Sequence, residues 1–268
     1  MTTNDPGGVS VGIVVVAAGL GTRLGAGMPK ALVRIGGRTL VEHAVTRAQG
    51  WSRSDSGRSS GDSGWMSSDS GWSSSRHRPA RHEPADAGVS RPPAVRHAVV
   101  VVAPATHLDE FRALVPDAVV VAGGAERTHS VAAGLAALPD DVTVVLVHDA
   151  ARALAPQSLF AAVAAAVADG ADAVVPGLPV TDTIKQIDAD GHVVATPDRA
   201  TLRAIQTPQG FTRAALEHAH ADGVGATDDA GLVERQGGKV LVIDGDPRAI
   251  KVTIPADLET VDRLLADG

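Results

Sequence analysis

The chain has 268 residues, enough for one large domain or two small ones; 44% are hydrophobic and 2% aromatic, which predicts a sizeable core of aliphatic side chains. It contains no cysteine, which excludes disulfides and thiolate zinc sites, and its net charge of −7 argues against binding to nucleic acid. No apolar run reaches the ~18 residues of a membrane span, and the first residues lack the pattern of a signal peptide, so we expect a cytoplasmic protein without a membrane partner.

The first predicted element is a buried strand that ends in a turn with few side chains. Five of the six positions from Val11 to Val16 are β-branched, which is typical of a strand covered on both faces. In the turn that follows, the backbone can approach a ligand closely, and its N–H groups can bind an anion. The residues with small or absent side chains there are Ala17, Ala18, Gly19 and Gly21.

Two cations follow this turn and favour a nucleoside triphosphate as the ligand. Arg23 offers a bidentate guanidinium, and Lys30 offers a compact ammonium. The dinucleotide-binding motif is excluded because Leu24 stands where its third glycine is needed. The Walker loop is excluded because Lys30 follows Pro29 instead of glycine. The stretch therefore predicts a nucleotidyltransferase; the alternative is an ordinary strand-to-helix turn with surface charges.

Residues 50–94 have a low-complexity composition dominated by serine, glycine and mixed charge. Such a segment cannot bury enough apolar surface to offset an ordering entropy of about 1–2 kcal/mol per residue. We interpret it as a disordered insertion between a helix capped by Thr39 and the next strand. Its three tryptophans, Trp51, Trp65 and Trp72, are then expected to lie outside the core. The alternative is a transient partner site anchored by these tryptophans.

Beyond the insertion, apolar runs alternate with helical patterns. Strands are predicted at 97–104, 117–124, 142–147 and 171–177, and helices at 108–115 and 156–168. Asp149 lies just beyond the strand at 142–147, where its carboxylate could hold Mg²⁺ or could instead cap the next helix. The strand at 117–124 ends in a glycine turn followed by Ser130, whose hydroxyl could bind a base or a phosphate or simply cap a helix.

The last third of the chain contains a predicted β-arm and several polar turns. Residues 179–199 alternate apolar and polar positions around Asp190-Gly191, the pattern of a hairpin, and such arms often reach across a symmetric partner. Thr227 is predicted to cap a helix, residues 249–253 to form a short strand, and Pro255 to open a terminal helix. The alternation of strands and helices predicts an α/β fold with a doubly wound, mostly parallel sheet in a single domain, 1–268.

Six motifs occur in order: AAGLGTRLGAGMPK, GGAERTHSV, VHDAAR, PVTDTIKQ, the run from DR to TPQGF, and TDDAGLVE with IKVT. Together they resemble the 2-C-methyl-D-erythritol 4-phosphate cytidylyltransferase family, which has a Rossmann-like nucleotidyltransferase fold. The resemblance implies that CTP and methylerythritol phosphate react to give 4-diphosphocytidyl-methylerythritol and pyrophosphate. It covers nearly the whole chain except residues 50–94. The sequence departs from many relatives at Ala31 and Ala153, neither of which carries charge.

The resemblance also implies roles for individual residues. Arg23 and Lys30 would stabilise charge on the phosphates, Asp149 would bind Mg²⁺, and Arg199 and Lys251 would position the attacking phosphate. A homodimer is implied in which the arm carries Arg199 to the neighbouring site. The residues expected to bind substrate are Ala17, Ala18, Gly19, Gly21, Gly124, Ser130, Arg152, Thr183 and Thr207.

Two other functions fit parts of this pattern. A cytidylyltransferase acting on another polyol phosphate, such as ribitol 5-phosphate, would share the loop and the aspartate at the strand end. A regulator that binds nucleotide but has lost catalysis would keep the loop alone. The four charged residues Arg23, Lys30, Asp149 and Lys251 favour an active enzyme.

Overall fold

The structure is a computed structural model, and it describes residues 9–19, 21, 24–25, 27–51, 97–221 and 228–266. Three predictions therefore lie outside the described residues: the placement of Arg23, the helix cap at Thr227, and the disorder of residues 50–94 apart from the first two of them. Within the part of the chain that the structure describes, no helix is both long and apolar enough to cross a bilayer.

The described residues form strands and helices that alternate along the chain. The strands are β1 (Val11–Val16), β2 (Arg34–Ile35), β3 (Arg38–Thr39), β4 (His97–Ala103), β5 (Val119–Ala122), β6 (Val144–Asp149), β7 (Ala173–Pro179), β8 (Gln186–Ile187), β9 (Val193–Ala195), β10 (Arg203–Ile205), β11 (Gln209–Thr212) and β12 (Val240–Asp244). The helices are α1 (Leu40–Gly50), α2 (Leu108–Leu114), α3 (Arg127–Ala136), α4 (Gln157–Ala168), α5 (Arg213–His220), α6 (Asp229–Arg235) and α7 (Pro255–Ala266).

Eight of these strands form the central sheet, in the order β10-β7-β11-β6-β1-β4-β5, with β12 also paired to β7. Strands β1, β4, β5, β6, β7 and β12 run in one direction, while β10 and β11 run in the opposite one. The register pairs Val16 with both Val102 and Asp149. The carboxyl ends of β1, β4 and β6 therefore meet at one edge of the sheet, which confirms the predicted doubly wound, mostly parallel fold.

Helices cover both faces of this sheet because its central strands are apolar on both sides. Ile13 and Val15 of β1 belong to the cluster that contains Phe160 of α4, together with residues of α1 and α2. Val14, which points to the opposite face, packs in the cluster that contains Val131 of α3 and residues of α5 and α6. Burial on both faces removes alternation from the strands, which is why the aliphatic runs predicted them well.

Two of the helix starts are as the sequence indicates, and a third is displaced by one residue. The hydroxyl of Thr39 accepts the N–H of Glu42, whose carboxylate in turn accepts the N–H of Thr39, so α1 begins with a capping box. Helix α6 is capped by Asp228, one residue after the predicted cap Thr227, and Asp228 accepts the N–H of Gly231. Pro255 opens α7, as predicted.

Three expectations about local structure are wrong. The run ALVRI at 31–35, followed by Gly36-Gly37, predicts a short edge strand, but a 3₁₀ helix at Lys30–Leu32 occupies its first half and precedes the short β2–β3 hairpin. Residues 249–253 form no strand; the N–H of Val252 donates to the carbonyl of Ala151, just after β6, at 2.8 Å. Trp51 is 3% exposed and lies in the core, where its ring stacks on His97.

The predicted β-arm is present as the β8–β9 hairpin. Its turn contains Gly191 at φ = 84°, a conformation that favours glycine. The arm leaves most of its apolar side chains in solvent, and Ile187, Val193 and Val194 are more than half exposed.

Candidate active site

A cleft of about 250 Å³ opens at the carboxyl edge of the sheet, beyond β1, β5 and β6. This is the edge at which ligands bind in open α/β sheets. Its walls come from three chain segments that follow these strands, together with Lys30, Ala31 and Lys251. The lining residues are Val16, Ala17, Ala18, Gly19, Lys30, Ala31, Gly124, Ala125, Glu126, Arg127, Ser130, Asp149, Ala150, Ala151 and Lys251.

The first wall is the turn after β1, which has almost no side chains. Gly21 has φ = 64°, and a Cβ atom at this position would lie 2.5 Å from the Cβ atom of Lys30. Any larger residue would therefore push Lys30 away from the turn. The backbone N–H of Lys30 donates to the carbonyl of Gly19 at 3.3 Å, which closes the loop and leaves Ala17, Ala18 and Gly19 along the cleft.

Lys30 lies in the 3₁₀ helix that follows this loop. Its Nζ atom donates to the carbonyl of Val252 at 3.0 Å, which ties the first loop to a segment more than two hundred residues later in the chain. The ammonium is thereby held beside the cleft. Of the two cations predicted for this loop, the structure describes Lys30, whereas Arg23 lies outside the described residues.

The carboxylate of Asp149 lies on the floor of the cleft at the last position of β6. Its Oδ2 accepts a hydrogen bond from Lys251 Nζ at 2.7 Å, and its Oδ1 lies 3.7 Å from an Nη atom of Arg127. Burial alone would raise the pKa of this carboxyl, but Lys251 and Arg127 lower it to about 2. Asp149 is therefore ionised throughout the neutral range.

Thr207, two residues before β11, supports the backbone of Asp149 on the neighbouring strand β6. Its hydroxyl oxygen accepts the backbone N–H of Asp149 at 3.0 Å and lies 3.1 Å from Nδ1 of His148. His148 is fully buried against the ring of Phe160, as expected of a packed neighbour, and burial lowers its pKa to about 4. Thr207 is 5% exposed and is not among the residues that line the cleft.

The second glycine turn forms the opposite wall. The N–H of Gly124 donates to Oγ of Ser130 at 3.2 Å, and that hydroxyl donates to the carbonyl of Glu126 at 3.1 Å. Ser130 thus both fixes the turn and lines the cleft. A Cβ atom at Gly123 would lie 2.7 Å from that of Ala18, so the two turns approach closely because both lack side chains here.

Other predicted site residues lie elsewhere in a single chain. Arg152 donates to the carbonyls of Ala249 at 2.7 Å and Ile205 at 3.0 Å, so its guanidinium holds two segments together. Thr183 and Arg199 are exposed on the arm, where Arg199 donates to the carbonyl of Thr181 at 2.6 Å. None of the three lines the cleft.

Two charged residues that line the cleft, Glu126 and Arg127, were missed by the sequence analysis. Arg127, the first residue of α3, donates to Oδ2 of Asp229 at 2.6 Å and approaches Asp149. The motif GGAERTHSV contains it, but within that motif the hydroxyl group of Ser130 is the feature that indicates a ligand. A cation in the first turn of a helix opposes the helix dipole, and this mismatch is the signal that could have identified Arg127.

Comparison with known proteins defines the family of the chain. A family model described as 2-C-methyl-D-erythritol 4-phosphate cytidylyltransferase matches residues 87–267, and one described as a MobA-like NTP transferase domain matches residues 13–56. The 2-C-methyl-D-erythritol 4-phosphate cytidylyltransferase of Rhodococcus jostii (strain RHA1) is 45% identical over 258 residues, which are 95% of each chain. The chain belongs to the 2-C-methyl-D-erythritol 4-phosphate cytidylyltransferase family.

Further relatives and solved structures agree with this membership. The bifunctional enzyme IspD/IspF of Clavibacter michiganensis subsp. michiganensis is 47% identical, and the match covers 97% of this chain but 55% of that enzyme. The crystal structure of 2-C-methyl-D-erythritol 4-phosphate cytidylyltransferase from Thermus thermophilus is 32% identical, with a TM-score of 0.65 and coverage of 96% and 98%. The synthase structure from Anaerococcus prevotii DSM 20548, at 22% identity, has a TM-score of 0.71 and covers 96% of both chains, a likeness of fold.

Proposed function

We propose that the protein transfers the cytidylyl group of CTP to 2-C-methyl-D-erythritol 4-phosphate, forming 4-diphosphocytidyl-2-C-methyl-D-erythritol and pyrophosphate. Family membership supports this reaction. The observation that carries it for this chain is the cleft itself, in which Lys30, Lys251 and the ionised Asp149 surround a turn without side chains. Such a cleft suits a triphosphate because backbone N–H groups and cations bind its oxygens.

The reaction needs positioning and charge stabilisation more than covalent help. An oxygen of the acceptor phosphate attacks the α-phosphorus of CTP, the bond from that phosphorus to the bridging oxygen breaks, and pyrophosphate leaves. The acceptor phosphate has a second pKa near 6, so it is already a nucleophile at neutral pH. A general base is therefore unnecessary, and the buried His148 is not required to act as one.

The two lysines suit different parts of this reaction. Lys30 lies beside the bare turn and would stabilise the charge that develops on the α-phosphate and on the departing pyrophosphate, with Arg23 as the second cation of the loop. Lys251 has a side chain that is 46% exposed and would hold the attacking phosphate. In doing so, it would exchange its contact with Asp149 for one with phosphate oxygen.

Asp149 fits a role as ligand of Mg²⁺. Its pKa of about 2 keeps it anionic, and Mg²⁺ is usually held by one or two carboxylates together with substrate phosphates. The ion would neutralise phosphate charge when bound. The chain's own contribution is to keep one ionised carboxylate at the edge of the cleft, with a lysine partner that can yield to the metal–nucleotide complex.

A homodimer completed by the β-arm is the second part of the proposal. In one chain, Arg199 and Thr183 do not line the cleft, although the family resemblance implies that both serve it. The arm also exposes Ile187 at 59% and Val193 at 57%, apolar area that a second copy could cover. The cytoplasm remains the predicted location of this enzyme, from its cysteine-free composition.

One assay separates the proposed reaction from its alternatives. Pyrophosphate release is measured with CTP, ATP, GTP and UTP, each with methylerythritol phosphate or ribitol 5-phosphate as acceptor. We expect release with CTP and methylerythritol phosphate. Release with ribitol 5-phosphate instead would indicate the other acceptor, and binding of CTP without release under any condition would indicate an inactive regulator.

A further inference from the structure

Two cations contact the carboxylate of Asp149, one on each oxygen, and they are held in different ways. Lys251 contacts Oδ2, and its side chain is 46% exposed. Arg127 lies near Oδ1, and its side chain is 25% exposed. An exposed ammonium on a flexible stem can exchange partners readily, whereas a guanidinium that spans two carboxylates cannot move without losing one of them.

The second carboxylate that Arg127 contacts is that of Asp229, at the start of α6. The side chain of Asp229 is 1% exposed; Oδ2 accepts from Arg127 at 2.6 Å, and Oδ1 lies 3.0 Å from Nε2 of His220. Asp228, beside it, is engaged elsewhere, since it accepts from Gln209 and from Gly231. Helices α3, α5 and α6 thus meet at Asp229, behind the cleft wall.

We propose that Arg127 is a positioning residue of the site, anchored by the buried Asp229–His220 pair so that it remains beside Asp149 when Lys251 transfers to phosphate. The inference rests on the proposed function, because it assumes that Asp149 receives the metal–nucleotide complex. In this arrangement, Lys251 is the displaceable cation and Arg127 the fixed one. The fixed cation holds the Asp149 carboxylate in place at the moment when its direct partner leaves.

The competing explanation is that Arg127 and Asp229 merely join helices. A buried ion pair is weak support for that role, because the cost of desolvating two charges often cancels their attraction. The two explanations differ in what they predict for metal binding. Partners of a metal-binding carboxylate commonly change metal affinity by about 10- to 100-fold when they are replaced, whereas a structural link changes the unfolding temperature alone.

The test uses Asp229→Asn, which removes the anchor but retains a side chain of the same shape. Released from Asp229, Arg127 is no longer held beside Oδ1 of Asp149, so this carboxylate loses its fixed partner when Lys251 leaves it for phosphate. We expect the half-saturating concentration of Mg²⁺ for turnover to rise about 10-fold, with kcat restored by excess Mg²⁺. The dissociation constant of Mn²⁺, measured by electron paramagnetic resonance in the presence of CTP, should rise equally.

Three further variants make the result decisive. Arg112→Lys alters an exposed ion pair on α2 and should change neither quantity. His220→Gln leaves Arg127 and both carboxylates in place and should raise both Mg²⁺ and Mn²⁺ values by a smaller factor. This variant can replace Asp229→Asn if the latter does not fold. Unchanged Mn²⁺ affinity in both Asp229→Asn and His220→Gln would overturn the inference. Unchanged Mn²⁺ affinity in Asp149→Asn would instead overturn the metal role of Asp149 on which it rests.

Discussion

At the carboxyl ends of β1, β5 and β6, the chain gathers charged groups around an open cleft, whereas at the amino end of β4 it buries a pair of stacked rings. The second region consists of Trp51, just after α1, and His97, the first residue of β4. Their ring centroids are 3.9 Å apart with an angle of 12° between the planes, and His97 Nε2 donates to the carbonyl of Trp51 at 3.1 Å.

These two regions are separated by the length of the sheet. Strand β4 has seven residues, which at ~3.3 Å each place the two ends about 20 Å apart. The low-complexity segment leaves the core at Trp51 and returns at His97, so both of its attachment points lie at the end remote from the cleft. Comparing the two ends of the sheet shows that the low-complexity segment is inserted at the end opposite to the charged groups of the cleft.

The largest expected effect is loss of a cation at the carboxyl end. Lys30→Ala or Lys251→Ala should lower kcat at least ~100-fold, the scale of one preorganised charge contact or roughly 2.7–4 kcal/mol. Steady-state pyrophosphate release measures this effect. Lys239→Ala is the matched control, because Lys239 is an exposed lysine that does not line the cleft. A near-normal rate in either cleft variant would remove that lysine from the mechanism.

The next prediction asks whether the carboxyl end is complete within one chain. Arg199→Ala should lower turnover, because the proposed partner arm no longer brings a guanidinium to the attacking phosphate. When Arg199→Ala and Lys30→Ala are co-expressed so that mixed dimers form, turnover should be regained, since each mixed dimer contains one site with both residues intact. Each variant alone stays inactive. Absence of recovery in a mixture that sedimentation shows to be dimeric would place both residues in the same chain's site.

At the amino end, the expected effect is on stability instead of rate. Trp51→Ala should lower the free energy of unfolding by about 3 kcal/mol, because it deletes a large buried side chain and leaves a cavity beside His97. Chemical denaturation measures the loss. Trp65→Ala, inside the low-complexity segment, is the control and should change little. A drop in kcat of folded Trp51→Ala comparable to that of the lysine variants would contradict the separation of the two ends.

The same two regions show how far the sequence predicts this molecule. The aliphatic runs of β1, β4 and β6 predict their strands because burial on both faces leaves a continuous apolar pattern. The turn after β1 is also predictable because it follows directly from a strand end, and Asp149 is predictable because it stands at the end of an apolar run. These signals are local, and the structure brings the residues to one cleft.

Residues that depend on distant partners were harder to predict. Trp51 stands next to the low-complexity segment in the sequence and resembles the tryptophans within it. Its place in the core becomes visible through its contact with His97, on the other side of the insertion. Arg127 acquires its position from Asp229, 102 residues later in the chain. Lys251 was predicted to lie in a strand, yet it lies in a segment without strand pairing. Contacts with distant residues, among them the hydrogen bond from Lys30 to the carbonyl of Val252, hold this segment beside Asp149.

The smallest expected effect on turnover is that of the insertion itself. Replacing residues 53–95 with a short Gly-Ser linker, with Trp51 and His97 retained, should leave kcat and KM unchanged, because both attachment points lie about 20 Å from the carboxyl ends of the strands. The shorter connection should also raise the free energy of unfolding by roughly 1–2 kcal/mol, since a shorter loop loses less entropy on closure. A large fall in turnover, with stability retained, would mean that the segment reaches the cleft and that the two ends of the sheet act together.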